Sequence, residues 1–106
     1  MTEERAARVF SALSDPTRRD VVRRLSEGAS TATELAARLP VSRQAVAKHL
    51  SALAGAGLVS AERHGREVRY RLTPAPLADA VGWISDLDAT WSDRLEALRR
   101  HLGASR

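Results

Sequence analysis

Only three residues, 40–42, separate two short stretches of helical periodicity, and so tight a link leaves the chain few ways to fold. The first stretch opens on Thr31-Ala-Thr-Glu34, the Ser/Thr-x-x-Glu signature of a helix start, and supplies Leu35, Ala36 and Leu39 as one apolar side before Pro40-Val41 ends it. The second opens on Ser42 as N-cap, carries Val46, Leu50 and Leu53 at the spacing of one buried stripe, and stops at Gly55 and Gly57. Opposite that stripe stand Gln44, Ala45, Lys48, Ser51 and Ala52, small, hydrogen-bonding or cationic, with no carboxylate among them. A solvated face normally mixes signs, whereas this one is suited to approach an anion. The pair implies a helix-turn-helix whose second helix enters the DNA major groove.

The remaining sequence predicts a frame around this pair. Residues 3–13 set Ala6, Val9, Phe10 and Leu13 at helical spacing, and Asp15-Pro16 reads as an N-cap with proline at the first helical position. The helix it opens runs through Val21, Val22 and Leu25 to Gly28. Arg18, Arg19, Arg23 and Arg24 ride on its polar sides and are read as a solvated face ahead of phosphate contacts, because this helix should lie under the core. After Gly57, residues 59–72 alternate on either side of Gly65-Arg66, with Val68, Tyr70 and Leu72 on one face and Glu67, Arg69 and Arg71 on the other. That pattern predicts a two-stranded hairpin. Arg63, His64, Arg66 and Arg69 are then placed to enter a minor groove or grip its phosphates, although the same charges also suit a hairpin edge protected from aggregation.

Charge agrees with this division. The formal net charge is +4, and residues 1–76 hold 13 Lys and Arg against 8 Asp and Glu, whereas residues 77–106 hold 4 against 5. The positive field therefore belongs to the part expected at DNA. Lys48 is the sole lysine beside 16 arginines; codon bias accounts for the choice of arginine but not for its placement.

Thr73-Pro74-Ala75-Pro76 is a rigid break, and Pro76 suits the start of a last helix. Along residues 77–102 the apolar positions are Leu77, Val81, Ile84, Leu87, Trp91, Leu95, Leu98 and Leu102, the spacing of a coiled-coil seam. Such a helix is roughly 39 Å long, more than a domain of 106 residues covers alone. The expectation is a homodimer formed through the first and last helices, with Val9 and Phe10 beside the seam from Leu77 to Leu98. The domain plan is a single unit, 1–106, with a DNA-binding core at 15–72, its wing at 59–72, and dimerisation helices at 3–13 and 77–102. A twofold dimer would set two recognition helices about 34 Å apart and call for an inverted-repeat operator. Trp83 and Trp91 are read first as packing in the dimer core, and second as lining an apolar effector pocket between subunits.

Taken together, Phe10-Ser-Ala-Leu-Ser-Asp-Pro-Thr-Arg-Arg19, Glu34-Leu-Ala-Ala-Arg-Leu39, Ser42-Arg-Gln-Ala-Val-Ala-Lys-His-Leu50 and Gly57-Leu-Val59 resemble the ArsR/SmtB family of dimeric winged helix-turn-helix repressors, over residues 5 to about 100. The resemblance implies an operator-binding repressor, with Ser42, Arg43, Gln44, Ala47 and Lys48 where the family contacts DNA. The sequence departs from the family's metal-sensing members, and no metal site is expected. The family's cysteine pair falls on Ala36 and Arg38, and one turn before His101 stand Ala97 and Leu98, neither a ligand. His49 and His64 lie in the DNA-binding half and are read as structural, solvated or phosphate-contacting groups.

Several classes drop out. With no cysteine, no grouping of carboxylates with histidine and no phosphate-cradling glycine loop, the chain is not expected to be an enzyme or to carry a cofactor. No apolar run nears the roughly 20 residues of a membrane span, so a cytoplasmic protein is expected. RNA binding would favour exposed aromatics, and Tyr70 points inward in the hairpin pattern. The remaining alternative, a winged helix serving as a protein interaction module, predicts an apolar or acidic face where Gln44 and Lys48 stand. The inducer is not readable from these residues.

Overall fold

In the computed structural model, residues 2–104 are described, and four of the five helices start on side-chain caps. Helix α1 (Glu3–Ala12) begins where Thr2 Oγ1 accepts the Arg5 N–H at 3.2 Å, and it buries Ala6, Val9 and Ala12. Helix α2 (Pro16–Ser26) begins on Asp15, which accepts from Thr17 N at 2.8 Å and Arg18 N at 3.0 Å, with Pro16 needing no partner of its own. The Arg18 N–H bond holds the Asp15 carboxyl below its usual range; desolvation opposes this, and the Thr17 N–H and the His49 and Arg18 charges reinforce it. Thr31 caps α3 (Ala32–Arg38), and Ser42 caps α4 (Arg43–Gly55).

The two helices of the turn lock onto one core. Val46, Leu50 and Leu53 of α4 are buried with Leu35 of α3, Val21 and Leu25 of α2, and Leu58 and Val59 beyond α4. Each large side chain in that set contributes about 1.5–3 kcal/mol by leaving water.

Beyond α4 the chain forms β2 (Val59–His64) and β3 (Glu67–Leu72), paired antiparallel from Val59 against Leu72 to His64 against Glu67. Gly65 and Arg66 make the two-residue connection. Gly65 has φ of +63° and no described non-glycine residue has positive φ, which fits a II′ turn with glycine first, the geometry that follows the twist of a hairpin.

The sheet differs from the two-stranded hairpin expected. A short β1 (Ser30–Thr31) adds to it in the order β1-β3-β2, with Ser30 opposite Tyr70 and Thr31 opposite Arg69. Two residues are too few to show alternation, and Thr31 is already committed to capping α3, so the strand leaves no periodic trace.

Helix α5 (Ala75–Ala104) is 30 residues long, overrunning the expected 77–102 by two residues at each end. Only its start touches the rest of the chain: Ala80 is buried, Leu77 packs on the core, and Trp83 lies against Phe10 of α1 with ring centroids 5.7 Å apart. One residue assigned to dimerisation, Val9, is 1% exposed and belongs to the protomer's own core, and Leu77 is partly buried against that core, because periodicity marks an apolar face without saying what covers it. Past Trp83 the helix leaves the body. The molecule measures 72 × 25 × 22 Å with a radius of gyration of 19.3 Å, against about 13 Å for a compact chain of this length.

Candidate nucleic-acid interface

Helix α4 divides into three arcs. Val46, Leu50 and Leu53 are buried; Ala45, His49 and Ala52 are half-buried on the flank next to α2; and Arg43, Gln44, Ala47, Lys48, Ser51 and Ala54 are exposed. The open face is thus rotated from the one expected: Ala45 and Ala52 leave it, and Arg43 and Ala47 join it. Helix α2 packs against α4, and Ala52 lines a hollow with Ala7, Arg8, Ser11 and Ala12 of the α1 segment and Arg18 of α2. His49, expected among the DNA-facing residues, is drawn into that flank, where its Nδ1 accepts a hydrogen bond from Arg18 Nε at 3.3 Å. No carboxylate stands on the open arc.

The structure also sorts the cations by whether they already have a partner. In the wing, Arg69 lies 3.2 Å from Glu67 and 3.5 Å from Glu34, Arg71 lies 3.6 Å from Glu62, and His64 lies 3.5 Å from the same Glu62. On α2, Arg19 donates to the Leu13 and Ser14 carbonyls at 2.8 and 3.2 Å, and Arg23 pairs with Asp20 at 3.0 Å. By contrast Arg5, Arg8, Arg24, Arg94 and Arg100 on α1, α2 and α5 make no side-chain hydrogen bond or ion pair with the described residues, and neither do Arg43, Lys48, Arg63 and Arg66, the four on α4 and the wing. Two of these four stand on α4 and two at the hairpin tip. Sequence reading grouped Arg69 with Arg63 and Arg66 because it sees charge and not pairing; Glu34, which takes up Arg69, is 35 positions earlier in the chain.

Between α4 and the hairpin runs an open groove of about 660 Å³, with Thr31 and Thr33 on its α3 side, Arg43 and Ala47 on its α4 side, and Arg66, Val68 and Tyr70 on the hairpin side. Arg43 and Arg66 line it from α4 and from the hairpin, and Glu34 and Glu67 line it too, so an anionic strand is accommodated only along the edge where the two guanidinium groups stand.

A family model described as a helix-turn-helix domain matches residues 13–60. Over 82 residues the chain is 45% identical to the HTH-type transcriptional regulator CmtR of Mycobacterium tuberculosis, an alignment covering 77% of this chain and 70% of that one. An ArsR-like transcriptional regulator from Rhodococcus sp. RHA1 superposes with a TM-score of 0.86 at 44% identity, covering 92% of both chains. The chain belongs to the ArsR/SmtB family. A third relative, the transcriptional repressor SdpR of Bacillus subtilis, is 36% identical over 72% of this chain and 84% of its own. This ArsR/SmtB protein is accordingly a DNA-binding winged helix-turn-helix transcriptional regulator and not an enzyme.

The family name also frames the C-terminal helix of this ArsR/SmtB protein. Val81, Ile84, Leu87, Trp91, Leu95, Leu98 and Leu102 are 42–66% exposed along its free length, and Phe10 is 37% exposed at its root. Trp83 is half-buried against Phe10 within the protomer, whereas Trp91, two turns on, stands open on the stripe. None of the described helices is long and apolar enough to cross a membrane.

Proposed function

We propose that this regulator is a homodimeric repressor that grips an inverted-repeat operator through α4 and the tip of its wing. The observation that carries the reading is the placement of Arg43, Lys48, Arg63 and Arg66, unpartnered among the described residues, on the two elements that a winged helix brings to DNA; Arg5, Arg8, Arg24, Arg94 and Arg100 are unpartnered there as well but lie on α1, α2 and α5. A cation already held by a carboxylate gains little from a phosphate, because one favourable contact replaces another. A free one releases counterions from the duplex and adds to affinity outright. Gln44, inside the open arc, and Lys48, exposed at its edge beside Ala52, read base edges, while Ser42, Arg43 and Ala47 set the approach; Ala47 offers only a methyl for a thymine. Arg63 and Arg66 take the minor groove or its phosphates, with exposed His64 beside them. His49 acts behind this surface by bracing α4 against Arg18.

The apolar stripe supplies the second subunit. Seven large apolar side chains in a row form a patch of the kind that soluble proteins cover with a partner, and a helix of 30 residues repeats it on the copy. The dimerising set becomes Phe10, Val81, Ile84, Leu87, Trp91, Leu95, Leu98 and Leu102, and residues 15–72 carry the DNA contacts. Bound at its operator, the dimer excludes polymerase, in keeping with the repressor named among its relatives.

The test is fluorescence anisotropy of the purified protein on its own upstream DNA and on a scrambled duplex across a salt series. A preference of about 10³ or more for the upstream DNA supports the reading, and equal, steeply salt-dependent binding to both defeats it. In the same assay Lys48→Ala is expected to weaken cognate binding by about 1–3 kcal/mol for each subunit and to relax preference at one base pair in each half-site. An equal loss on both duplexes, with the salt slope smaller by about two, one for each subunit, would make Lys48 a phosphate contact instead.

A further inference from the structure

We infer that Glu34 is a positioning residue for the wing, and that Arg69 is the strut it holds in place and not a DNA contact; the inference rests on the operator-binding reading above. Ser30, 9% exposed, donates its hydroxyl to Glu34 Oε2 at 3.2 Å, and Glu34 Oε1 lies 3.5 Å from Arg69 Nη2. The same guanidinium nitrogen donates to Glu67 Oε2 at 3.2 Å. This polar chain joins the first turn of α3, through its cap strand β1, to the middle of β3.

Its place in the sheet gives the chain leverage. Strand β1 pairs with Tyr70 and Arg69, so from Val68 to the turn the wing is a two-stranded ribbon with no third strand beside it, a structure of marginal stability alone. Arg69 sits at the root of that free ribbon. Arg66 stands three residues further out, roughly 10 Å along the strand, where a small rotation at the root becomes a displacement large enough to break a phosphate contact. The groove between Arg43 and Arg66 therefore keeps its width through Glu34.

Electrostatics explain why Arg69 does not itself go to DNA. It stands between two carboxylates, and a phosphate that captured it would leave Glu34 and Glu67 facing a polyanion. The side chains of Arg69 and Glu34 are 37% and 47% exposed, so the pair is partly sheltered from the screening that makes surface ion pairs weak.

The experiment is a double-mutant cycle on operator affinity in the full chain, combining Glu34→Gln with Arg66→Ala, with specific binding by the unmodified protein established first. That first measurement tests the operator reading; the cycle tests the strut. Glu34→Gln is expected to weaken operator binding about 3- to 10-fold, with little change in melting temperature, and to cause no further loss once Arg66 is alanine. Arg69→Gln, which spares the Ser30 contact, is expected to give the same loss and the same dependence on Arg66. Unchanged or tighter binding by Glu34→Gln would overturn the inference, the tighter result exposing Arg69 as a contact that Glu34 restrains. Losses from Glu34→Gln and Arg66→Ala that simply multiply would overturn it as well.

Discussion

Replacing Leu95 and Leu98 together by aspartate is expected to give a folded monomer that has lost at least about 100-fold in operator affinity. These side chains are 42% and 52% exposed and lie outside the core cluster of the described residues, so their removal takes no packing from that core. What they lose is the partner. Two carboxylates placed in an apolar seam would have to be desolvated without counterions, a cost of several kcal/mol that pairing cannot offset. The effect on DNA follows from geometry. A dimer that has bound one half-site holds its second reading head at high effective concentration, which raises affinity by about 10²–10⁴ over a single head without any new contact. The monomer also brings half the cations, so its salt slope should fall to about half that of the dimer. Sedimentation equilibrium at micromolar concentration and anisotropy on the operator check both parts. A variant that stays dimeric would remove the α5 stripe as the interface; a monomer with undiminished affinity would remove the twofold operator.

The sequence made legible those features whose physical signature is local. Thr31, Asp15 and Ser42 announce helix starts because a cap is a contact within three residues, and the structure has each of them accepting the N–H groups expected. The stripe Val46, Leu50 and Leu53 announces the buried side of α4 because 3.6-residue periodicity survives any tertiary surrounding. Gly65 announces the wing tip because few other residues accept its φ.

What stayed hidden depends on elements far apart in the chain. Arg69 looks like a free cation until Glu34 is brought beside it, and Ala45 and Ala52 look like contact residues until tertiary packing half-buries them. Val9 and Leu77 share the apolar character of the residues on the free stripe, and only the folded chain shows that they face inward while Leu87 and Trp91 do not. The capping signature at Thr31 to Glu34 is half fulfilled for a related reason. Thr31 accepts the Glu34 N–H, but the Glu34 carboxylate takes Ser30 and Arg69 as partners. A side chain recruited by tertiary structure has left its local role, and the candidate site changes where that happens.

Leu50→Ala is expected to cost the domain about 2–5 kcal/mol, a large share of the roughly 5–15 kcal/mol that holds a typical domain folded. Leu50 is 1% exposed and packs in the cluster that joins α4 to α2 and α3, with Val21, Leu35 and Leu53 all at 0%. Truncation there leaves a void that close-packed neighbours on three elements cannot fill by collapsing. In urea the unfolding midpoint should fall by about 1–3 M with an unchanged slope. Because the folded chain is read as a dimer, both proteins must be compared at one concentration. Ser51→Ala, on the next residue but on the open arc, should move the midpoint by less than about 0.5 kcal/mol equivalent. The two variants separate folding from recognition. Leu50→Ala leaves every DNA-facing side chain in place, so its folded fraction, studied below its transition, should bind the operator with nearly normal affinity. A small stability loss, or weak binding by a fully folded Leu50→Ala protein, would mean that the seat of α4 on the core sets the pose of its reading face less firmly than this packing requires.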